Sequence, residues 1–174
     1  MDVIIRPVKK DDAESISGIY KYYVESTAVS FEEEAPDVDE IKRRISHTIS
    51  KYPYFVAEKD GEVIGYAYAS PFKTRSAYRF SVETSIYVRK DLKEKGTGRL
   101  LYEYLEKALS EQGIKNSNAC IAFASVEDEY LTNGSMHFHE ALGYKLVGTF
   151  HKCAYKFGRW YDMIWMEKMI GEHD

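Results

Sequence analysis

Hydrophobic and polar positions change their spacing several times along the chain, and each change predicts a different element. The apolar run at residues 3–5 has the length of a short buried strand and is followed by Pro7. Apolar side chains then recur at the spacing of one helical face: Ile16, Ile19, Tyr20 and Tyr23. A second helix is predicted to start at Asp37 or Asp39, with its inward stripe at Ile41, Ile45 and Ile49. Pro53 forces a break after it.

The middle of the chain has the two-residue alternation of a β-sheet. Residues 54–58 and 63–69 are strand-like runs, and Asp60 with Gly61 supplies the positive-φ turn of a tight hairpin. Another strand is predicted from about Phe80 to Arg89. Its alternation gives an apolar face of Val82, Thr84, Ile86 and Val88. Its other face is polar and consists of Ser81, Glu83, Ser85 and Tyr87.

The second half of the chain continues the mixture of helices and strands. A helix that ends at Gly113 is predicted after two glycines, with an inward stripe of Leu101, Tyr104, Leu105 and Ala108. Residues 118–123, 146–155 and 161–169 predict three strands, and Ser135 is the expected N-cap of a short helix that ends at Gly143. No repeat or linker divides the chain. The order therefore predicts one domain over residues 1–174, with an α/β or α+β layered structure.

Composition narrows the class of protein without defining a function. Hydrophobic residues make up 44% and charged residues 30% of the 174 residues, which excludes a disordered chain. A net charge of −4 argues against a basic surface for nucleic acid, so any anion site must be local. No apolar run reaches the ~20 residues of a membrane-spanning helix, and the first residues lack the pattern of a signal peptide. We expect a cytoplasmic protein with no membrane or nucleic-acid partner.

Cysteine and tyrosine usage adds two expectations. Cys120 and Cys153 lie far apart and form no Cys-x-x-Cys pair, so neither a zinc site nor a disulfide scaffold is indicated. The 15 tyrosines are unusually many, and their rings and hydroxyls suit half-wet pockets and interfaces as well as cores.

The strongest local signal for binding is the loop after the strand that ends at Val88 and Arg89. Glycines at 96 and 98 allow close approach of backbone to a phosphate, and the helix that follows offers free N–H groups and the positive end of its dipole. The loop has neither the G-x-G-x-x-G spacing of dinucleotide sites nor the Lys-Ser/Thr ending of a P-loop. Taken alone, it is equally compatible with a flexible turn that precedes a helix.

The loop resembles the Gln/Arg-x-x-Gly-x-Gly/Ala motif of the GNAT superfamily of N-acetyltransferases, with Lys93 in place of the first residue. The chain is more narrowly similar to the phosphinothricin acetyltransferase family, which includes methionine sulfoximine acetyltransferases. The stretches that carry this resemblance are Ser30-Phe31-Glu32, Gly65-Tyr66-Ala67-Tyr68-Ala69, Arg75-Ser76-Ala77-Tyr78, Val82-Glu83-Thr84-Ser85-Ile86-Tyr87-Val88, His139-Glu140-Ala141-Leu142-Gly143-Tyr144 and Lys156-Phe157-Gly158-Arg159-Trp160-Tyr161-Asp162. They span nearly the whole chain.

The resemblance implies a GNAT fold, in which a mixed, mostly antiparallel sheet is flanked by helices, and a homodimer. It implies acetyl-CoA as co-substrate and no metal. The residues it assigns to acetyl-CoA are Ile86, Tyr87, Val88, Lys93, Glu94, Lys95, Gly96, Thr97, Gly98, Arg99 and Asn133. The backbone of Val88 is expected along the pantetheine arm, and residues 93–98 at the pyrophosphate.

Acetyl transfer to an amine needs a base, because an α-amino group with a pKa of roughly 8 is mostly protonated near neutrality. The resemblance gives this role to Glu83 and links His139 with it in proton transfer. Without the resemblance, Glu83 reads as an exposed carboxylate on a strand, and His139 as a core or surface histidine of a helix. His137 has no counterpart in the resemblance and serves as a control.

The acceptor is expected to be the primary amine of a small anionic, amino-acid-like compound. The resemblance assigns its pocket to Phe31, Lys73, Arg75, Tyr78 and Tyr87. Cationic donors there would hold a carboxylate or phosphinate and place the amine near the thioester. Other hypotheses remain open at this point: an enzyme for peptide N-termini or other amines, a non-catalytic acyl-CoA-binding module, and a structural domain without a cofactor.

Overall fold

A computed structural model of the protein describes residues 2–92 and 95–174, so the predictions for Lys93 and Glu94 lie outside the described residues. The strands are β1 (Ile4–Pro7), β2 (Tyr54–Lys59), β3 (Glu62–Pro71), β4 (Ser81–Val88), β5 (Asn116–Phe123), β6 (Lys145–Lys156) and β7 (Arg159–Met169). The helices are α1 (Ala13–Ser26), α2 (Val38–Ile49), α3 (Thr97–Glu111) and α4 (Gly134–Ala141). Short 3₁₀ segments lie at Lys10–Asp12 and Ser76–Tyr78.

All seven of these strands join one sheet in the order β1-β2-β3-β4-β5-β7-β6. Neighbouring strands are antiparallel except β4 and β5, which are parallel. The β2–β3 hairpin turns at Asp60 and Gly61, whose φ angles of 53° and 82° are the positive values that the turn requires. The predicted α/β (α+β) class, with a mixed, mostly antiparallel sheet flanked by helices, is confirmed.

The helices cover the two faces of the sheet. On one face, α1 and α2 pack isoleucines onto the tyrosine-rich surface of β2 and β3: Ile16, Ile19, Ile41 and Ile45 against Tyr54, Val56, Val63 and Tyr66. On the other face, α3 packs Leu101, Tyr102, Leu105 and Leu109 onto Ala67, Val82, Ile164 and Met166. The two faces of β4 therefore meet different layers, as its alternation predicts.

Three helix predictions need correction. Ile49, expected on the inward stripe of α2, is the last residue of that helix and is 49% exposed. The inward stripe of α3 runs through Leu101, Leu105 and Leu109, while Tyr104 is 47% exposed and Tyr102 is buried instead. At ~100° per residue, the buried face is centred between Leu101 and Tyr102, roughly a third of a turn from Tyr104, because this is the face that packs against the sheet. Helix α4 takes Asn133, not Ser135, as its N-cap residue.

The one parallel pair creates an opening in the sheet. Strands β4 and β5 pair only over Ser81–Glu83 and 116–118, although β4 continues to Val88 and β5 to Phe123. Beyond Glu83 the two strands separate, so their edges are left available to a ligand. We call this opening the β4/β5 split.

Candidate active site

A cavity of about 690 Å³ occupies the β4/β5 split. It is lined by residues from both strands, by the first turn of α3, by α4, and by the α1 side of the sheet: Tyr23, Val29, Thr84, Ser85, Ile86, Tyr87, Val88, Gly96, Thr97, Gly98, Arg99, Tyr102, Cys120, Ile121, Ala122, Ser135, Phe138 and His139 among them. A volume of this order suits a large organic ligand. The split therefore is the candidate binding site.

The backbone of β4 is directed into this cavity at alternate residues. The Arg89 amide donates to the Ile64 carbonyl at 2.9 Å, so it faces β3. Because backbone groups alternate in direction along a strand, those of Val88 face the split. The Val88 carbonyl accepts a hydrogen bond from the Tyr23 hydroxyl. The strand therefore presents its Val88 amide beside the cavity, as expected for a group that binds an extended ligand arm.

The first turn of α3 forms the end of the cavity. Gly96 is the N-cap residue and has a φ of 90°, which a residue with a side chain rarely adopts. A Cβ on Gly98 would lie 3.0 Å from the Phe138 ring of α4, so this glycine allows α3 and α4 to approach. Arg89, Lys90 and Arg99 also line the cavity. The positive end of the helix dipole and these cations together suit a phosphate-bearing ligand.

Most of the residues predicted to bind acetyl-CoA line the cavity, and Lys95 lies beside it. Gly96, Thr97, Gly98 and Arg99 line the cavity, as do Ile86, Tyr87 and Val88 on β4. Lys95 is exposed beside them. The Arg99 guanidinium donates to the Ala141 carbonyl at 3.2 Å, which ties α3 to the end of α4.

Glu83 lies at the base of the split, where the β4–β5 pairing ends opposite Asn118. Its side chain is on the sheet face of Ser85 and Tyr87, not on the face covered by α3. Desolvation raises the pKa of Glu83 above its usual value, whereas the positive charge of Lys73 lowers it. Glu83 is not itself part of the cavity lining, but its chain neighbours Thr84 and Ser85 are, so the carboxylate lies at the margin of the cavity. A carboxylate with a raised pKa in this position is suited to accept a proton.

His139 lies on the other side of the split, on α4, and is 2% exposed. Its Nδ1 is 2.7 Å from the Ser135 carbonyl oxygen and its Nε2 is 2.8 Å from the Tyr102 hydroxyl. Because a carbonyl only accepts, the proton is assigned to Nδ1, and Nε2 accepts from Tyr102. Burial lowers the pKa of His139, so the neutral imidazole is favoured. His137, in contrast, is exposed and pairs with Glu140.

Tyr102 is a site residue that the sequence reasoning missed. Its hydroxyl joins His139 to Thr84, at 3.2 Å, and Thr84 lies 3.3 Å from Ser117. The Ser117 hydroxyl is 2.6 Å from that of Tyr144, so a buried chain of hydroxyl groups leads away from the cavity. The only signal in the sequence for Tyr102 was its place beside Leu101 in the first turns of the helix that follows the glycine loop.

The predicted acceptor residues gather on the Glu83 face. The Lys73 ammonium lies 5.3 Å from the Phe72 ring and 5.6 Å from the ring of Trp165 on β7. Tyr78 contacts Phe72 at 5.8 Å between ring centroids, and Arg75 is exposed at the start of the same 3₁₀ turn. Trp165 lies opposite Cys120 in the β5–β7 pair, and Cys120 lines the cavity. Trp165 is therefore close to the site, and it is a second residue that the sequence did not indicate.

Two further acceptor predictions have clear surroundings. Phe31 packs beside Tyr161, with ring centroids 6.4 Å apart, and against the cluster that contains Ala122 and Leu131. Both of these cluster residues also line the cavity. Tyr87 is enclosed by the rings of Tyr20, Tyr23 and Tyr66, at 5.0 to 5.7 Å. Tyr87 thus lines the split directly, whereas Phe31 packs behind Ala122 and Leu131 and is not part of the lining.

The structure gives Asn133 a structural partner. Its side-chain oxygen accepts from the Ala124 amide at 3.0 Å, and its side-chain nitrogen donates to the Ala124 carbonyl at 2.8 Å. The neighbouring residues Thr132, Gly134 and Ser135 line the cavity. Contact between Asn133 and a cofactor stays a prediction.

Two features are absent from the described residues. Between residues 2 and 174, leaving aside 93 and 94, no helix combines the length and apolarity needed to cross a membrane. Over the same residues, no three His, Cys, Asp or Glu side chains are grouped as metal ligands would be. The expectation that no metal is required stays a prediction.

A mixed sheet that opens between two parallel strands, with a glycine-led helix N-terminus at one end and a carboxylate at the other, is the arrangement that the resemblance to acyltransferases implies. The family of the acetyltransferase (GNAT) domain matches residues 5–165. The chain therefore belongs to the GNAT acetyltransferase family, and the prediction of an acetyltransferase enzyme is confirmed.

Individual relatives narrow the comparison. Phosphinothricin N-acetyltransferase from Alcaligenes faecalis is 37% identical, over 98% of this chain and 84% of that protein. L-methionine sulfoximine/L-methionine sulfone acetyltransferase from Salmonella typhimurium is 29% identical, over 97% of this chain and 95% of that protein. The solved structure of a GNAT phosphinothricin acetyltransferase from Sinorhizobium meliloti, in complex with acetyl-CoA, has a TM-score of 0.88 and 35% identity, over 98% of this chain and 90% of that one. The resemblance to the phosphinothricin and methionine sulfoximine acetyltransferases is thereby confirmed.

Proposed function

We propose that this enzyme moves the acetyl group of acetyl-CoA to the primary amine of a small anionic, amino-acid-like compound of the phosphinothricin or methionine sulfoximine type. The observation that carries the proposal is the placement of Glu83 and Lys73 together on one side of the β4/β5 split. The carboxylate suits the amine and the ammonium suits the acid group of such a compound. The names of the relatives support the same substrate class.

The residues of the split fit acetyl-CoA. The first turn of α3, with Arg99 and Lys90 beside it, would hold the pyrophosphate, and the Val88 amide would bind the pantetheine arm. When bound, acetyl-CoA supplies an activated acetyl thioester. A backbone amide near Val88 that donates to the thioester carbonyl would also favour the negative charge that develops on its oxygen.

Glu83 is proposed as the general base. It takes a proton from the ammonium form of the acceptor, directly or through one water, and leaves a neutral amine that can attack. The desolvation that raises its pKa strengthens it as a base, and the positive charge of Lys73 limits the rise. The base role and the anion-binding role are therefore coupled through one electrostatic contact.

The transfer is proposed to be direct, without an acetylated enzyme. Cys120 lines the cavity on the Glu83 face. Desolvation raises the pKa of Cys120 to about 12, and the charge of Glu83 adds to this shift. The thiol therefore stays protonated near neutrality and is a poor nucleophile. Attack by the acceptor amine itself is the better route.

His139 and Tyr102 are proposed to serve the departing thiolate. The hydroxyl of Tyr102 lies in the cavity lining and is held by Nε2 of the neutral His139. The single Tyr102 proton, donated to Nε2 at rest, would move to the sulfur as the thioester bond breaks, and the phenolate left behind, 3.2 Å from the Thr84 hydroxyl, would regain a proton from solvent. No large pKa shift of the histidine is required for this relay.

We also propose that the enzyme is a single domain over residues 1–174 and a cytoplasmic homodimer. Support for the dimer comes from the late hairpin, where Phe150, Tyr155 and Trp160 are 56 to 61% exposed. Support for a reducing compartment comes from Cys120 and Cys153, which are free thiols.

A thiol-release assay with acetyl-CoA tests the proposed function. The amines to compare are phosphinothricin, methionine sulfoximine, methionine sulfone, common amino acids, polyamines and short peptides. We expect the highest kcat/KM with the small anionic amino-acid analogues. Activity on peptides alone would contradict the proposed substrate class, and acetyl-CoA binding without turnover of any amine would indicate a non-catalytic module.

Replacing Lys73 is expected to move the pH dependence of the reaction. The Lys73 charge lowers the pKa of Glu83, so Lys73→Met removes this effect and the pKa rises further. Since only the ionised carboxylate accepts a proton, the acidic limb of the kcat profile should shift to higher pH. The measurement is kcat against pH at saturating acceptor. Arg79→Gln is the matched control, because Arg79 is a cation of the same loop that stacks on Phe80; an equal shift in both variants, or none in Lys73→Met, would contradict the coupling.

A further inference from the structure

Lys156 is a buried lysine that the proposed chemistry leaves without a role. It is the last residue of β6 and only 4% exposed, just before the turn at Phe157 and Gly158, whose φ angles are 53° and 72°. Its ammonium group donates three hydrogen bonds to backbone carbonyls: 2.7 Å to Val24, 2.7 Å to Ser30 and 2.8 Å to Glu32. All three of its N–H donors are thereby used.

The three carbonyls belong to one stretch of chain. Val24 lies in the last turn of α1, where carbonyls lack partners within the helix and a cation interacts favourably with the helix dipole. Ser30 and Glu32 follow in the connection between α1 and α2, on either side of Phe31. Lys156 thus holds the backbone before and after Phe31 from a distant part of the fold.

Burial of an ammonium group is costly unless its donors are satisfied. Desolvation lowers the pKa of Lys156, while the nearby carboxylates of Glu33 and Glu32 raise it. A neutral side chain of similar size would avoid the cost of burial, so the cation at this position indicates a requirement for the three hydrogen bonds.

The stretch that Lys156 holds forms a wall of the cavity. Val29 lines the β4/β5 split directly, and Phe31 packs against the cluster of Ala122 and Leu131, which line it too. Other bonds fix the same stretch: Ser30 lies 2.8 Å from the Tyr20 hydroxyl, and Glu32 pairs with Arg44 at 2.7 Å. These bonds come from α1 and α2, whereas Lys156, together with the ring contact between Phe31 and Tyr161, ties the stretch to the β6–β7 hairpin.

We propose that Lys156 is a positioning residue for the acceptor: its three hydrogen bonds fix residues 24–32 so that Phe31 forms the acceptor wall of the cavity. The inference rests on the proposed function, because it assigns this wall to the amine and not to acetyl-CoA. Lys156 does not touch the reacting atoms and acts through Phe31. Its loss should weaken acceptor binding and leave the glycine-loop end of the cavity intact.

The test is Lys156→Met, which keeps the length of the side chain and removes the three donors. We expect the acceptor KM to rise about tenfold, the order that loss of one or two kcal/mol of binding gives. The kcat and the KM for acetyl-CoA should stay within about twofold of the wild type. Lys145→Met is the matched control, since Lys145 is an exposed lysine at the other end of β6, and it should change none of these constants.

Two further measurements decide the interpretation. The double variant Lys156→Met/Phe31→Ala should raise the acceptor KM no more than Phe31→Ala alone, if Lys156 acts through Phe31. Amide hydrogen exchange of residues 27–32 should accelerate in Lys156→Met and not in Lys145→Met. An unchanged acceptor KM in a folded Lys156→Met, or equal losses for acceptor and acetyl-CoA, would overturn the proposal.

A second variant is used if Lys156→Met does not fold. Lys156→Gln retains some donors and should show a smaller rise in acceptor KM; if neither variant folds, Lys156 is a folding residue and the proposal is wrong. The hydrogen-exchange result separates this inference from the proposed function. If the wild type acetylates no small anionic amine, the proposed function fails, whereas the exchange of residues 27–32 still reports whether Lys156 fixes that stretch.

Discussion

Glu83→Gln is expected to lower kcat roughly 10²-fold or more, with acetyl-CoA affinity unchanged. The amide keeps the size of the side chain at the base of the β4/β5 split but cannot accept the proton of the ammonium group. Acetyl-CoA is proposed to bind at the other end of the cavity, at Val88 and the first turn of α3, so its affinity should not depend on this carboxylate. Steady-state kinetics and calorimetric titration with acetyl-CoA measure the two quantities.

The pH dependence of Glu83→Gln sharpens this prediction. An amine with a pKa of roughly 8 is largely neutral at higher pH, where a base is needed less. The deficit relative to the wild type should therefore shrink between about pH 7 and pH 9.5. Glu103→Gln, on the exposed side of α3, is the control and should behave as the wild type. Normal turnover in Glu83→Gln near neutrality would remove Glu83 from the mechanism.

Local periodicity was sufficient for most elements. The alternation of β4 depends on two residues per repeat, and it placed Thr84 and Glu83 on different faces, as the structure does. The β2–β3 turn follows from Asp60 and Gly61 because few residue pairs adopt two successive positive φ angles. These signals lie within the few residues that form each element.

The rotation of α3 and the β4/β5 split needed information from distant parts of the chain. Leu101, Tyr104 and Leu105 fit a helical stripe as well as Leu101, Leu105 and Leu109 do, and only packing against the sheet chooses between them. The short pairing of β4 with β5 is likewise non-local, because it joins Glu83 to residue 118 across a helix. The cavity itself was therefore not predictable from spacing.

The site residues also differ in whether the local sequence was enough to predict them. Glu83 and the glycines at 96 and 98 stand in recognisable runs, so they were found from the sequence. The contacts of Tyr102, Trp165 and Lys156 could not be predicted from the sequence, since their partners lie 37, 45 and up to 132 positions away in the chain. Asn133 shows the reverse case: its place in the sequence indicated a cofactor contact, while the fold engages its amide with the Ala124 backbone.

His139→Ala is expected to lower kcat by roughly 100-fold, the low end of the range for a proton-transfer group. The change removes the acceptor of the Tyr102 hydroxyl at Nε2, so Tyr102 loses its orientation toward the cavity. Acetyl-CoA affinity should change little. His137→Ala is the matched control on the same helix, because His137 is exposed and pairs only with Glu140 in the described residues.

Tyr102→Phe separates a catalytic role of His139 from a structural one. This variant keeps the ring and removes only the hydroxyl, so it should reproduce most of the loss in kcat if both residues belong to one relay. The double variant should then be little worse than His139→Ala. Tyr104→Phe, two residues along α3 and exposed, should have no effect. Additive losses in the double variant would show that the two residues act independently.

The stability of the protein gives an independent measure of the His139 environment. Burial lowers the pKa of His139 from 6.5, so the folded state binds its proton less readily than the unfolded state. The contribution of neutral His139 to the free energy of unfolding is complete above about pH 6.5, the ordinary pKa of histidine. It is lost as the pH falls through the lower pKa of His139 in the folded state. The free energy of unfolding, measured with denaturant, should therefore fall less from pH 7 to pH 5 in His139→Ala than in the wild type. A loss as large as in the wild type would contradict a buried neutral imidazole, and with it the donor assignment at Nδ1 on which the Tyr102 relay depends.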